Sequence, residues 1–348
     1  MSGPARLVRV VAVAVALCLG AACTSSAQAD KATTTVASMV APSTTTTTIP
    51  LTPAGGTYGV GRSDVTLVDA SRDTDADTEN DVAAQQGRTL PTVILYPTAD
   101  TTDDATTDAD PVADGRFPLV VFSHGVTASG PAYVGVMKNV AAAGYVVALP
   151  TYPLTSGPQG WNNVGQATNQ PADVSFIIDQ LLEESAGEGN LLSGHLSPDA
   201  VAVAGHSLGA ITSLLFVNSC CRDDRVKAIV AVSGITFPGP DKSDTYDDPP
   251  KIPLLMLHGE TDSVLRYDVG SRQIFDTTLT SLPRALISFP DDGHVDILGA
   301  PSFMPSIVAF LDMTVRDQPD EWQVLGAQIE QNGDATIETA GGLTPPTD

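Results

Sequence analysis

Basic residues are scarce in this 348-residue chain, where 17 lysines and arginines face 41 aspartates and glutamates and the formal net charge is -24. A field of that sign repels phosphate backbones, so we expect no nucleic-acid partner. Hydrophobic residues make up 42% of the chain and charged residues only 17%, which is enough apolar material for a substantial core. The length suits one large domain with extensions or two small domains.

Cysteine is scarce as well. Cys18 and Cys23 lie near the amino terminus, so only Cys220 and Cys221 remain for the fold. Adjacent cysteines cannot form a metal site alone, no C-x-x-C occurs and no dinucleotide fingerprint is present, so we expect neither a metal nor a cofactor. We expect Cys220 and Cys221 to be two thiols, with a vicinal disulfide as the alternative in an oxidising compartment.

The apolar run near the amino terminus is short. Arg6 and Arg9 precede Val10 to Leu19, a run of roughly ten residues that is too short for a transmembrane helix and typical of a signal peptide over residues 1–22. The next letters, LGAAC, resemble a bacterial lipoprotein signal, which implies that Cys23 is the acylated first residue of the mature chain. We expect an exported, membrane-anchored protein, with plain secretion as the alternative.

Three further segments follow the signal peptide. Residues 23–54 are rich in threonine without apolar periodicity, which predicts a disordered spacer. Over residues 55–317, buried-strand patterns such as FPLVVFS and YVVALP alternate with helical patterns, which predicts an α/β domain with a mostly parallel sheet and helices on both faces. Residues 318–348 form a polar tail, and we expect the part from about Gly333 onward to be loose.

The strongest motif is Gly205-His206-Ser207-Leu208-Gly209. G-x-S-x-G alone is a weak signal, but here a strand pattern precedes it and a helical pattern follows. That context predicts a nucleophile elbow, in which a tight strand-to-helix turn raises Ser207 above the carboxyl edge of the sheet.

A serine nucleophile needs a base and an acid that orients the base. In proteins with a nucleophile elbow, the chain order is nucleophile, acid, histidine. The other four histidines precede the acid or adjoin the serine, which leaves His294 in FPDDGHVD as the base. Asp262 in HGETD follows a buried strand and is the expected acid. Glu260, Asp268 and Asp241 are its competitors.

The oxyanion that forms during acyl transfer needs two N–H donors. We expect one from Leu208, the residue after the nucleophile, and one from Val126 in the loop after LVVFSHG, with Gly125 as the alternative donor. His124 is expected to buttress this loop, or else to be a packed histidine without a role. Trp161 and Tyr152, in a Gly- and Pro-rich stretch that forms either a lid or a surface loop, are candidate substrate-binding residues.

Together, PLVVFSHGVTAS, GHSLG, HGETD and DGH resemble the α/β-hydrolase superfamily. The stretch YGVGRSDVTLVDASRD and then RTLPTVILYP resembles the amino-terminal strands of platelet-activating-factor acetylhydrolase-like proteins. Dienelactone-hydrolase-like and chlorophyllase-like esterases are similar too. The chain departs from true dienelactone hydrolases, which carry a cysteine nucleophile, and from the acetylhydrolase group, whose acid lies one strand earlier.

The resemblance implies a serine hydrolase of carboxylic esters, with a small-molecule, lipid or polyester substrate. A non-hydrolytic acyl transferase or binding protein on the same fold is the alternative. A peptidase ranks lower, because the chain has no room for a propeller-sized extra domain.

The lipoprotein signal gives a first prediction. Cys23→Ala should move the protein from the membrane fraction to the medium or a soluble fraction, because the acyl chain that anchors it would be lost. Cell fractionation followed by immunoblotting measures this shift. Unchanged fractionation would argue for plain secretion instead.

Overall fold

Ten strands of the described chain form one sheet. The computed structural model describes residues 51–347 except 79, 100–104, 112–114, 158–162, 219 and 237–250, so the predicted signal peptide, Cys23 and most of the predicted spacer lie outside it. The strands are β1 (Gly59–Asp69), β2 (Arg88–Thr98), β3 (Thr106–Thr107), β4 (Phe117–Ser123), β5 (Val146–Pro150), β6 (Leu196–His206), β7 (Val226–Val232), β8 (Leu254–Gly259), β9 (Arg284–Phe289) and β10 (Thr336–Ala340). Their order in space is β10-β9-β8-β7-β6-β4-β5-β2-β1-β3.

The helices of the described chain alternate with these strands. They are α1 (Val134–Ala142), α2 (Gln170–Ala186), α3 (Leu208–Leu214), α4 (Ser271–Gln273), α5 (Phe303–Val315) and α6 (Asp320–Asn332). α4 is short, and a π-helical turn at Ile274–Thr278 continues it. Within the described residues, no helix combines the length and the apolar character that crossing a bilayer requires.

The centre of the sheet is parallel, as the sequence predicts. β5, β4, β6, β7, β8 and β9 are parallel neighbours, while β2 joins β5, and β10 joins β9, in antiparallel fashion. Every residue of β4 is buried, which is what a continuous apolar run such as FPLVVFS favours in a strand covered on both faces. The carboxyl ends of the parallel strands meet at one edge of the sheet, where loops can carry functional side chains.

Two apolar layers cover the sheet. Along β4, Val120 and Phe122 face the layer that contains α1, α5 and α6, whereas Leu119 and Val121 face the layer that contains α2 and α3. This division follows from the two-residue period of a strand. Both layers are therefore continuous cores, and they hold the parallel strands rigidly in register.

The carboxyl-terminal segment is ordered, so the expectation of a loose tail from about Gly333 onward is wrong for β10 (Thr336–Ala340). α6 buries Trp322, Leu325 and Ile329, and the ring centroid of Trp322 lies 5.9 Å from that of Phe310 in α5. β10 then adds an antiparallel edge strand to β9. The segment is polar in composition, but three apolar side chains at helical spacing and the backbone hydrogen bonds of an edge strand are enough to dock it.

This packing predicts that Trp322→Ala destabilises the whole domain. Truncating a buried aromatic side chain costs about 3–5 kcal/mol through lost contacts and the cavity that remains. Val324→Ala on the same helix, where the side chain is 46% exposed, should change the free energy of unfolding by less than about 0.5 kcal/mol. Urea unfolding, monitored by far-UV circular dichroism because one variant lacks the tryptophan, measures both free energies. Equal, small effects would mean that α6 does not pack on the domain.

Candidate active site

Ser207 lies at a sharp turn between β6, which ends at His206, and α3, which begins at Leu208. Its backbone has φ 57° and ψ -118°, and its N–H donates to the carbonyl oxygen of Val232 in β7 at 2.9 Å. A non-glycine residue in this region costs about 1–3 kcal/mol and persists only where the surroundings enforce it. The strained turn presents the Ser207 side chain at the carboxyl edge of the sheet.

The two glycines of the motif allow this turn to form. A Cβ on Gly205 would lie 2.2 Å from the carbonyl oxygen of Gly209, and one on Gly209 would lie 2.0 Å from the carbonyl oxygen of Ser123 in β4. No side chain fits at such distances. The absence of both side chains therefore lets α3 approach β4 and β6 closely enough to hold the serine.

The structure brings the predicted nucleophile, base and acid together. His294, in the loop after β9, places its Nε2 2.8 Å from Ser207 Oγ, and its Nδ1 2.6 Å from Asp262 Oδ2. Because a carboxylate only accepts, Nδ1 carries the hydrogen and Nε2 is left to accept from the serine hydroxyl. This arrangement can withdraw a proton from Ser207.

Asp262, in the loop after β8, is held as an anion. Its Oδ1 accepts hydrogen bonds from the N–H groups of Val264 at 2.8 Å and Leu265 at 2.9 Å. Burial raises the pKa of Asp262, but the hydrogen bonds from His294 and from the two amides outweigh burial and hold that pKa below its usual value. Of its competitors, Glu260 and Asp268 are exposed and Asp241 lies outside the described residues.

A second imidazole also contacts this carboxylate, and the sequence reasoning missed it. His258, at the end of β8, is fully buried, with its Nε2 3.1 Å from Asp262 Oδ2 and 2.8 Å from the carbonyl oxygen of Leu265. Both neighbours are acceptors, so Nε2 carries the hydrogen, and Nδ1 accepts from Ser271 Oγ at 2.8 Å. Burial lowers the pKa of His258, which keeps the ring neutral. The only sequence signal was its position four residues before the acid.

The two predicted oxyanion donors belong to neighbouring residues in space. Val126 and Leu208 share a small apolar cluster next to Ser207. Among the described residues no loop or turn hydrogen bond uses either amide, and Leu208 is the first residue of α3, where an N–H has no acceptor within the helix. The alternative donor is already used, because the N–H of Gly125 donates to Tyr133 Oη at 3.1 Å. The geometry therefore leaves the amides of Val126 and Leu208 free to bind an anionic oxygen.

His124 supports the loop that carries Val126, in agreement with the expected buttress. It is completely buried, its Nδ1 donates to the carbonyl oxygen of Gly125 at 2.7 Å, and its Nε2 accepts from the N–H of Tyr152 at 3.1 Å. Burial lowers the pKa of His124 to about 4, so the ring stays neutral and keeps this bonding pattern at neutral pH.

The structure does not support substrate binding by the two residues that the sequence suggested for it, Tyr152 and Trp161. Tyr152 is fully buried, and its Oη lies 2.8 Å from Ser123 Oγ, so its side chain does not face a substrate and that expectation needs correction. The physical reason is that Tyr152 lies two residues after the end of β5 and its ring packs inward beside His124, with the ring centroids 5.3 Å apart. Trp161 lies outside the described residues.

The paired cysteines also differ from the expectation. Cys220 and Cys221 form a vicinal disulfide rather than two thiols. The pair follows the 3-10 turn at Leu215–Val217, which extends α3. It therefore lies at the end of the helical segment remote from Ser207, and it contributes nothing to the geometry of the candidate site.

Comparisons with known proteins agree with this architecture. A model of the chlorophyllase family matches residues 101–246, a stretch that ends before the loops of Asp262 and His294. A solved structure of a ferulic acid esterase from Streptomyces cinnamoneus superposes with a TM-score of 0.57 at 18% identity, covering 78% of this chain and 95% of that chain. A search of curated protein sequences found no match. The ordered sheet, the turn at Ser207 and this superposition identify the chain as a protein of the α/β-hydrolase fold.

Proposed function

We propose that this protein is a serine hydrolase of carboxylic esters, in which Ser207 is the nucleophile, His294 the general base and Asp262 the acid. The observation that carries the proposal is the continuous line of hydrogen bonds from Ser207 Oγ through the imidazole to Asp262, with distances of 2.8 Å and 2.6 Å. Nucleophile and base within hydrogen-bond reach, with the base oriented by a third group, is the arrangement that acyl transfer requires.

In the acylation step, Ser207 Oγ attacks the acyl carbon of the ester while its proton passes to His294 Nε2. The imidazolium that forms is stabilised by the carboxylate of Asp262. The former carbonyl oxygen becomes an oxyanion and accepts hydrogen bonds from the amides of Val126 and Leu208. Donors of this kind belong to the backbone, so they would favour the tetrahedral intermediate with little reorganisation.

The tetrahedral intermediate then collapses. His294 returns the proton to the alkoxy oxygen as the bond to the acyl carbon breaks, and the alcohol leaves an acyl ester on Ser207. Water next attacks the same acyl carbon while His294 accepts its proton. The bond from the acyl carbon to Ser207 Oγ then breaks as His294 returns that proton to the serine oxygen, and the carboxylic acid is released. One base thus serves both halves of the reaction.

The apolar side chains around Ser207 favour a substrate with an uncharged, apolar acyl group. Leu208, Ile211 and Ala167 form a buried cluster, and Val126 and Ile235 pack against it with part of their surface open. The similarity to a chlorophyllase family and to a ferulic acid esterase also favours ester chemistry. We propose small-molecule, lipid or polyester esters as substrates; a panel of p-nitrophenyl esters of increasing chain length would rank them.

We further propose that the enzyme acts outside the cytoplasm, anchored by an acyl chain on Cys23 or else secreted. The apolar run and LGAAC near the amino terminus motivate this. A disulfide between Cys220 and Cys221 supports it, because disulfides persist in oxidising compartments.

The assignment of the nucleophile predicts that Ser207→Ala lowers kcat for p-nitrophenyl esters by at least about 10³-fold while the unfolding temperature changes little. A fluorophosphonate probe should label the wild-type protein at Ser207, as read by peptide mass spectrometry. Ser281→Ala, which changes an exposed serine, is the matched control and should keep both activity and labelling. A Ser207→Ala variant with more than a tenth of the wild-type kcat would contradict the proposal, and labelling without ester turnover would favour an acyl transferase.

The assignment of the acid predicts a loss of about 10⁴-fold in kcat for Asp262→Asn. The amide keeps the shape of the side chain but loses the charge. Because Oδ1 accepts from two backbone amides and Oδ2 from two imidazoles, the NH₂ group would face either the N–H groups of Val264 and Leu265 or those of His294 and His258, donor against donor. His294 would then favour the tautomer that cannot accept from the serine. Steady-state kinetics at neutral pH measure this loss.

Two controls separate this acid from its competitors. Asp241→Asn tests the layout with the acid one strand earlier, and Asp268→Asn tests an exposed neighbour. If Asp262 is the acid, each of the two control variants should change kcat by less than about threefold. If Asp241→Asn is the crippled enzyme and Asp262→Asn stays active, the acid is misassigned, although the pairing of Ser207 with His294 could survive.

A further inference from the structure

His206, the residue before the nucleophile, has a bonding pattern that the proposed mechanism does not use. Its side chain is buried, with Nε2 2.8 Å from the backbone carbonyl oxygen of His294 and Nδ1 2.8 Å from Tyr133 Oη. A carbonyl oxygen only accepts, so Nε2 carries the hydrogen. Nδ1 is then left with its lone pair, and the hydroxyl of Tyr133 must donate to it.

Tyr133 extends this chain of hydrogen bonds to the oxyanion loop. Its Oη accepts from the N–H of Gly125 at 3.1 Å while its own hydrogen points to His206. Burial lowers the pKa of His206 to about 4 and raises the pKa of Tyr133, so both groups keep these protonation states at neutral pH. We call the chain from Gly125 through Tyr133 and His206 to the carbonyl of His294 the Tyr133–His206 bridge.

The bridge joins two loops that must be in register for acyl transfer. One loop carries Val126, a proposed oxyanion donor, and follows Gly125 directly. The other carries His294, the proposed base. Between them, His206 is covalently attached to Ser207, so one imidazole is tied to the nucleophile, the base and the oxyanion loop at the same time.

The packing around the bridge restricts movement of its rings. The ring centroids of His206 and His294 lie 4.9 Å apart, and those of Tyr133 and Phe122 of β4 also lie 4.9 Å apart. A Cβ built on Gly125 would lie 3.3 Å from the Cβ of Ser207, so the oxyanion loop runs directly against the nucleophile. A displacement of about 1 Å in such a constellation can cost 10²-fold in rate.

We propose that His206 is a positioning residue that, together with Tyr133, holds the oxyanion loop and the loop of His294 in register around Ser207. The inference rests on the proposed ester hydrolysis. It assigns the histidine of the elbow motif a role in alignment, and it adds Tyr133 as the second positioning residue.

The first test is Tyr133→Phe, which keeps the ring that packs on Phe122 and removes only the hydroxyl. We expect kcat for a p-nitrophenyl ester to fall by about 10- to 100-fold with KM changed less than about twofold, because transition-state alignment is lost rather than binding. The rate of fluorophosphonate labelling at Ser207 should fall in parallel. Tyr145→Phe is the matched control, because that buried hydroxyl donates to Asp312 at 2.6 Å, far along the chain from these loops, and kcat should stay within about twofold.

The second test compares His206→Gln with His206→Phe. A glutamine amide can still donate towards the carbonyl of His294, whereas phenylalanine fills the space without donating or accepting. We expect glutamine to retain at least about ten times the kcat of phenylalanine, since one end of the bridge is rescued. If phenylalanine is as active as glutamine, His206 only fills space and the inference is wrong.

A double variant separates the bridge from two unrelated effects. Tyr133→Phe in the His206→Phe background should lower kcat by a clearly smaller factor than it does in the wild type, because the bond between the two residues is already gone and only the bond from the Gly125 N–H to the Tyr133 hydroxyl remains to be lost. Multiplicative effects would overturn the inference. Fluorophosphonate labelling of the wild type keeps the two proposals apart: no labelling overturns the ester hydrolase itself and the bridge with it, whereas normal wild-type labelling with an unchanged rate in Tyr133→Phe overturns only the bridge.

Discussion

The close approach of α3 to β4 is the constraint on which the rest of the site depends. Gly209 meets the carbonyl of Ser123, and Gly205 meets the carbonyl of Gly209, at distances that no side chain would permit. The turn between them forces Ser207 to a positive φ, and β4 leads within two residues into the oxyanion loop at Gly125. The same backbone contact therefore sets the position of Ser207, the proposed nucleophile, and of the loop whose amide would stabilise the oxyanion.

Histidine is used in several different ways around this contact. His124, His206 and His258 are buried, and each has acceptors that fix which ring nitrogen carries the hydrogen. Burial lowers the pKa of all three, so they act as neutral hydrogen-bonding struts. His294 differs because its Nδ1 donates to a carboxylate, which leaves its Nε2 facing the serine hydroxyl as an acceptor.

The parts of the site that depend on local pattern could be predicted from the sequence. The elbow at Ser207 is a strand, a turn and a helix in succession, and Asp262 and His294 each follow a buried strand whose carboxyl end lies at the same sheet edge. The role of Tyr133 could not be predicted, because its partner His206 lies 73 residues away and no periodicity links them. α6 was missed for another reason: its polar composition concealed the helical spacing of Trp322, Leu325 and Ile329.

The electrostatic balance at Asp262 explains why a neutral His258 matters. The carboxylate accepts from two amides and two imidazoles, and each of these donors favours its anionic form. If His258 were itself a cation, it would pair with the same charge, and the attraction that Asp262 offers to a protonated His294 would weaken. Burial keeps His258 neutral, so it orients Asp262 Oδ2 without neutralising it. The negative charge thus remains for the imidazolium that would form when Ser207 gives up its proton.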